Sequence, residues 1–186
     1  MKKLIAIIAV CIAIATACSE DSKSNWEKYA DWREYNKNWI KELEKRTNPD
    51  GTPYYEKVVP AWNPQGYVLM HFFNDRKLTE GNLSPMYTST IDVRYKLHLC
   101  DGSGADSSDL VNTTGKLGVY RTPLRDLIQG WHVALPEMRC GDTAEVIIPY
   151  SLGYGGSSSG KVLPYSNLQF NIRLVDIPHY ETPDVN

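Results

Sequence analysis

The chain has 186 residues, of which 42% are hydrophobic, with 20 basic and 22 acidic residues and a net charge of −2. That length suits one domain plus an extension. No basic stripe is present to neutralise a phosphate backbone, which excludes nucleic acid as a partner. The histidines His71, His98, His132 and His179 share no metal-ligand spacing with one another or with the cysteines, so neither a metal nor a cofactor is expected.

In chain order, residues 1–17 carry Lys2 and Lys3 and then an apolar run from Leu4 to Ala17 broken only by Thr16. The run is shorter than the roughly 20 residues needed to span a bilayer and reads as a signal peptide. Ala15-Thr16-Ala17-Cys18 resembles a bacterial lipobox, which makes Cys18 the acylated first residue of the mature chain. The acidic residues that follow resemble the export signals of Bacteroidetes lipoproteins. Such an anchor places the protein in the cell envelope, on the outer membrane, facing the periplasm or the surface. Cys11 leaves with the leader, and Cys100 and Cys140 remain as an even pair in an oxidising compartment.

Residues 18–65 form a helix and linker. "SNWEKYADWREYNKNWIKELEKR" (24–46) has no Gly or Pro and repeats Trp32, Tyr35, Trp39 and Leu43 at helical spacing. Its aromatic stripe is either buried on the domain or a partner-binding face. Turn chemistry at 47–53 ends it, and 47–65 reads as an ordered, proline-rich linker.

From residue 66 the chain turns to β. "GYVLMHFFND" (66–75) and "TAEVIIP" (143–149) read as strands. Ile91, Val93, Tyr95, Leu97 and Leu99 alternate with Asp92, Arg94, Lys96 and His98, the pattern of a half-buried antiparallel strand. Leu168, Phe170, Ile172 and Leu174 repeat it. Leu127, Ile128, Trp131, Leu135 and Met138 follow helical spacing, with Gly130 and Pro136 limiting that helix to about two turns. The sum is an α+β domain over 66–180, with 181–186 a tail. No G-x-S-x-G elbow or Walker loop is present. What remains is a pocket of aliphatic and aromatic residues.

"LIQGW", the Met138 and Gly141 that close the helix, "AEVIIPYSLGYG", "LPYSNLQFNIRLVDI" and, upstream, "DVRYKLHLCDG…DSS" together resemble the FKBP-type peptidyl-prolyl cis-trans isomerases over roughly 86–178. The resemblance implies a curved antiparallel sheet wrapped around one short helix, with an apolar pocket between them. It implies Trp131 as the pocket floor, Tyr95, Leu127, Ile128 and Phe170 as walls, Asp106 at the mouth and Tyr154 offering its hydroxyl to a substrate carbonyl. In the loop 156–163, one residue shorter than usual, Val162 or Leu163 supplies an aliphatic contact. Val119 or Tyr120 serves the longer segment 109–123. The implied activity is prolyl isomerisation in folding of exported proteins, with proline-containing peptides as substrates and macrolides as ligands. A non-catalytic binding module is the alternative. The family fold also implies that the strands ending at Cys100 and starting after Cys140 are antiparallel neighbours, hence a Cys100–Cys140 disulfide. Departures are Ala105 in place of an aromatic before Asp106, Lys96-Leu97 after Tyr95, and a single proline in Leu163-Pro164.

Overall fold

The computed structural model describes residues 23–179, with the side chain of His179 outside the description. The leader 1–17, Cys18 and the tail 181–186 therefore lie outside the described residues. Two helices open the chain: α1 (Asn25–Lys28) and α2 (Ala30–Glu44). Ser24 and Glu27 form a reciprocal capping box at the start of α1. Tyr29, at φ −103° and ψ 24°, separates the two, so the stretch expected as one helix is two.

Seven strands follow: β1 (Glu56–Val58), β2 (Val68–Phe72), β3 (Thr90–Leu99), β4 (Gly104–Ser107), β5 (Tyr120–Pro123), β6 (Thr143–Ile148) and β7 (Leu168–His179). They form one open sheet in the order β1-β2-β6-β7-β3-β4, with β5 off this path, paired to β3 at Thr90–Val93 while β4 pairs at Lys96–His98. All pairings are antiparallel. The short helix α3 (Gln129–Ala134) continues into a 3-10 turn at Leu135–Glu137. The linker is less separate than its composition implies, because β1 extends the sheet by pairing with β2.

The alternation of β3 sorts as read: Ile91, Val93, Leu97 and Leu99 are buried. Asp92, on the other face, is buried too, because Arg121 on β5 grips it with two bonds of 2.7 Å. On β2 and β6 both faces are covered. Val68, Met70, Val146 and Ile148 join Trp131, Ala134 and Met138 in the main core. Leu69 and Ile147 point the other way and meet Ile40 of α2 and Tyr55 in a second cluster. So α3 and α2 sandwich the sheet from opposite faces. The buried residues of α2 are Asn36 and Ile40, while Trp32, Trp39 and Leu43 of the aromatic stripe are half-buried and Tyr35 is exposed.

Two buried carboxylates are fully engaged. Glu145 accepts from the Tyr55 hydroxyl and from Gln169 Nε2 at 2.8 Å. Asp142 accepts from Thr79 Oγ1 at 2.6 Å, Asn74 Nδ2 at 2.9 Å and the Arg139 backbone N–H at 2.9 Å. Arg76 Nε stands 3.5 Å away. Burial acts to raise the Asp142 carboxyl, but these donors together with Arg76 outweigh it and hold the group below its ordinary value.

The disulfide expectation is wrong. Cys100 and Cys140 are both free. β3 and β6 are not neighbours: β7 lies between them, antiparallel to each, so β3 and β6 run parallel. Cys100 follows Leu99, which pairs with Leu168, whereas the Cys140 thiol lies at Ile177. Those points are roughly 30 Å apart along β7 at a strand rise of about 3.3 Å, far beyond the ~7 Å Cα limit of a bridge. Burial raises both thiols, that of Cys100 to about 12, so neither is a reactive thiolate.

Alkylation of unreduced, denatured protein followed by peptide mapping is expected to label both Cys100 and Cys140; a Cys100–Cys140 linked peptide contradicts the strand order. Because the Asp142 carboxyl is depressed in the folded state, its stabilisation is complete above the unfolded value of about 3.9 and is lost as pH falls through the lower folded value. Asp142→Ala is expected to cost about 3 kcal/mol near neutrality, because Asn74 Nδ2 and the Arg139 N–H lose their acceptor and Arg76 its counter-charge. It should also flatten the acid limb of a urea-melt stability profile; an unchanged acid limb counts against this role.

Candidate active site

Gly130 determines how closely α3 approaches the sheet. A Cβ there would stand 2.3 Å from Ile148 Cγ2 on β6, so only glycine permits this contact. The approach fixes the next residue, Trp131, in the core at 3% exposure. Its indole meets Phe170 of β7 edge to face at 5.2 Å between ring centroids and Tyr95 of β3 at 5.7 Å. Tyr95 in turn meets Phe170 at 6.0 Å and Tyr120 at 6.2 Å. Such edge-on aromatic pairs each add about 0.5–1.5 kcal/mol beyond area burial and hold one another's orientation.

Above this aromatic floor is a hollow of about 70 Å³ lined by Tyr95, Asp106, Tyr120, Leu127, Ile128, Trp131, Tyr154 and Phe170. It suits one small apolar group. Asp106 is its one carboxylate, and both of its oxygens are engaged: Oδ2 accepts from the Tyr95 hydroxyl at 2.8 Å and Oδ1 from the Ser107 backbone N–H at 2.8 Å. Burial, then the bond to Asp106, pushes the Tyr95 phenol well above its ordinary value, so it remains a neutral donor. Among the described residues no group of three or more His, Cys, Asp or Glu could hold a metal.

Tyr154 reaches the hollow from the connection between β6 and β7. Gly155, at φ +60°, makes the bend after it. The Gly155 N–H bonds back to the Tyr150 carbonyl at 2.9 Å, and its carbonyl accepts from the Tyr165 N–H at 2.8 Å. A larger hollow of about 540 Å³ lies between the N-terminal helices and this connection; it includes none of the aromatic floor.

Seven of the nine residues expected at the pocket therefore converge on it. Val162 is buried in the main core, and Leu163 is 43% exposed; neither lines the hollow. The open choice in segment 109–123 falls on Tyr120, while Val119 is buried beside it. Ala105 borders a neighbouring hollow of about 420 Å³ that shares Asp106. Sequence signals for Tyr120 were thin, since β5 is a four-residue strand at the end of a long loop.

Comparison with known proteins agrees with this geometry. The family model for FKBP-type peptidyl-prolyl cis-trans isomerases matches residues 81–175. A macrophage infectivity potentiator of Trypanosoma cruzi is 30% identical over 168 residues, covering 90% of this chain and 76% of that protein. The outer membrane protein MIP of Legionella longbeachae is 34% identical over 94 residues, 50% of this chain and 38% of that protein. The crystal structure of FkpA from Escherichia coli shares the fold at a TM-score of 0.64 and 22% identity, over 95% of this chain and 70% of that one. The chain belongs to the FKBP-type peptidyl-prolyl cis-trans isomerase family.

Proposed function

We propose that the prolyl isomerase activity of this family is exercised here on exported proteins, by a proline ring seated over Trp131. The observation that carries this reading is the convergence of five aromatic side chains and two aliphatic ones on one small hollow whose only carboxylate is already engaged. Rotation of an amide is opposed by about 18–20 kcal/mol of lost resonance, and the X-Pro bond interconverts over tens of seconds or longer unaided. The twisted amide is less charge-separated than the planar one. An apolar, water-poor wall therefore favours it, and the Tyr154 hydroxyl holds a flanking carbonyl as it forms. This is preferential binding of the transition state, with no covalent step and no proton transfer. A macrolide of the FKBP-ligand type would compete for the same hollow.

We also propose a lipid anchor at Cys18, on the strength of the short apolar run ending in Thr16-Ala17-Cys18. The name of the Legionella relative supports an envelope location. No helix among the described residues is long and apolar enough to cross a membrane.

A protease-free assay of a prolyl tetrapeptide tests the first proposal. Trp131→Ala is expected to lower kcat/KM by about ten- to thirty-fold, the equivalent of roughly 1–2 kcal/mol, and Tyr154→Phe by about two- to ten-fold. Ala105→Phe should raise kcat/KM a few-fold at most, because Tyr120 already supplies one wall ring. Wild-type protein at the uncatalysed rate contradicts the reading. For the anchor, Cys18→Ser should shift the protein from membranes to the soluble fraction; wild-type protein already soluble after fractionation contradicts it.

A further inference from the structure

The turn that carries Tyr154 is held from within by short-range backbone bonds, among them Gly155 N–H to the Tyr150 carbonyl and Ser157 N–H to the Tyr154 carbonyl. Its sequence is poor in side chains that could fix it further. Residues 153–160 include Gly153, Gly155, Gly156 and Gly160 and three consecutive serines. Its return end is instead fastened from outside the family-matched region, by α1 and α2. Tyr165 is the one non-glycine residue with positive φ among those described, at +62°. That backbone state is unfavourable for an aromatic residue and persists only where its surroundings over-determine it.

Those surroundings are Tyr150, edge on at 5.7 Å, and Gly156 on the side of the turn, and the N-terminal helices on the other. The Tyr165 ring meets Trp26 edge on at 5.3 Å and lies 6.5 Å from Tyr29. The Arg33 guanidinium stacks on Trp26 at 3.2 Å and stands 5.7 Å from the Tyr165 ring. Held there, the Tyr165 N–H bonds to the Gly155 carbonyl, next to Tyr154. The next two residues are tied as well. Ser166 Oγ accepts from Trp32 Nε1 at 3.0 Å and donates to the Leu163 carbonyl at 2.8 Å. Asn167 donates its backbone N–H to Asn36 Oδ1 at 2.7 Å and its Nδ2 to the Asn36 carbonyl at 2.8 Å. Asn167 Oδ1 then accepts from the Tyr150 N–H at 2.9 Å, at the outgoing end of the same turn. Asn36 and Asn167 are 1% and 3% exposed, so these bonds are shielded from competing water.

We propose that Trp32 and Asn36 are positioning residues of the isomerase site, acting through Ser166 and Asn167, the two residues after Tyr165, to hold Tyr154 over the pocket. The attachment of α2 to the sheet face rests on Ile40, Trp39 and Leu43 against Leu69 and Ile147, and the Trp32 ring adds an apolar contact with the main core. The polar contacts of Trp32 and Asn36 with the domain fall on the loop alone. The proposal rests on the prolyl-pocket reading above, and it assigns the N-terminal helices a part in turnover.

A double-mutant cycle on the full chain tests it, with hydrogen exchange as a readout independent of activity. Asn36→Ala should lower kcat/KM for a prolyl tetrapeptide about five- to ten-fold, yet less than about two-fold in a Tyr154→Ala background, since contacts that act through one another are non-additive. The amides of Tyr165 and Asn167 should exchange at least about ten-fold faster while those of β3 and β7 keep their protection. Trp32→Phe, which keeps a ring and removes one bond, should move both readouts in the same direction by a smaller factor; it decides the matter if Asn36→Ala does not fold. Equal losses in both backgrounds, or no loss, overturn the proposal. Should the wild-type chain fail to isomerise at all, the isomerase reading fails separately, and unchanged exchange at Tyr165 and Asn167 still overturns the clamp.

Discussion

The contact between Gly130 and Ile148 is the constraint on which the rest depends. It brings a two-turn helix close enough to the sheet for Trp131 to enter the core rather than lie on it. Any side chain at residue 130 would lift α3 away, and the indole would lose its edge contacts with Tyr95 and Phe170. The pocket is thus a consequence of packing. Its floor is part of the main hydrophobic core, and that core pays for the rigidity on which a transition-state surface relies.

Each face of the sheet then has its own task. One face receives α3 and supplies Tyr95 and Phe170 to the pocket. The other receives α2 through Ile40, Leu69 and Ile147. The two are connected at the residues between β6 and β7, where Tyr154 faces the pocket and Asn167 is bonded to Asn36. The pocket and the N-terminal extension therefore share one segment of chain.

Much of this was legible in the sequence because the informative elements are long and strongly periodic. The ten residues of β3 and the twelve of β7 expose their faces through alternation. Gly130-Trp131 marks a close helix contact. The short strands β1, β4 and β5 were not legible, since three or four residues carry too little period to separate from loop. The disulfide failed for another reason. Strand direction and order decide whether two cysteines meet, and β7, the last strand in the chain, inserts between β3 and β6. Val162 was drawn inward by the core instead of toward the pocket, and Tyr120 became legible only once β5 was paired to β3. The burial of α2 on its own sheet required knowing that Leu69 and Ile147 face away from α3.

The central claim is that an apolar aromatic surface lowers the rotation barrier without an ionisable catalyst. The pH dependence of kcat/KM for prolyl isomerisation tests that most directly, because a general acid or base would leave its titration in the profile. With the Tyr95 phenol held protonated by burial and by Asp106, the account predicts a flat profile from about pH 5.5 to about pH 8.5. A bell-shaped or steeply sloping profile in that window, with the protein still folded, would contradict it.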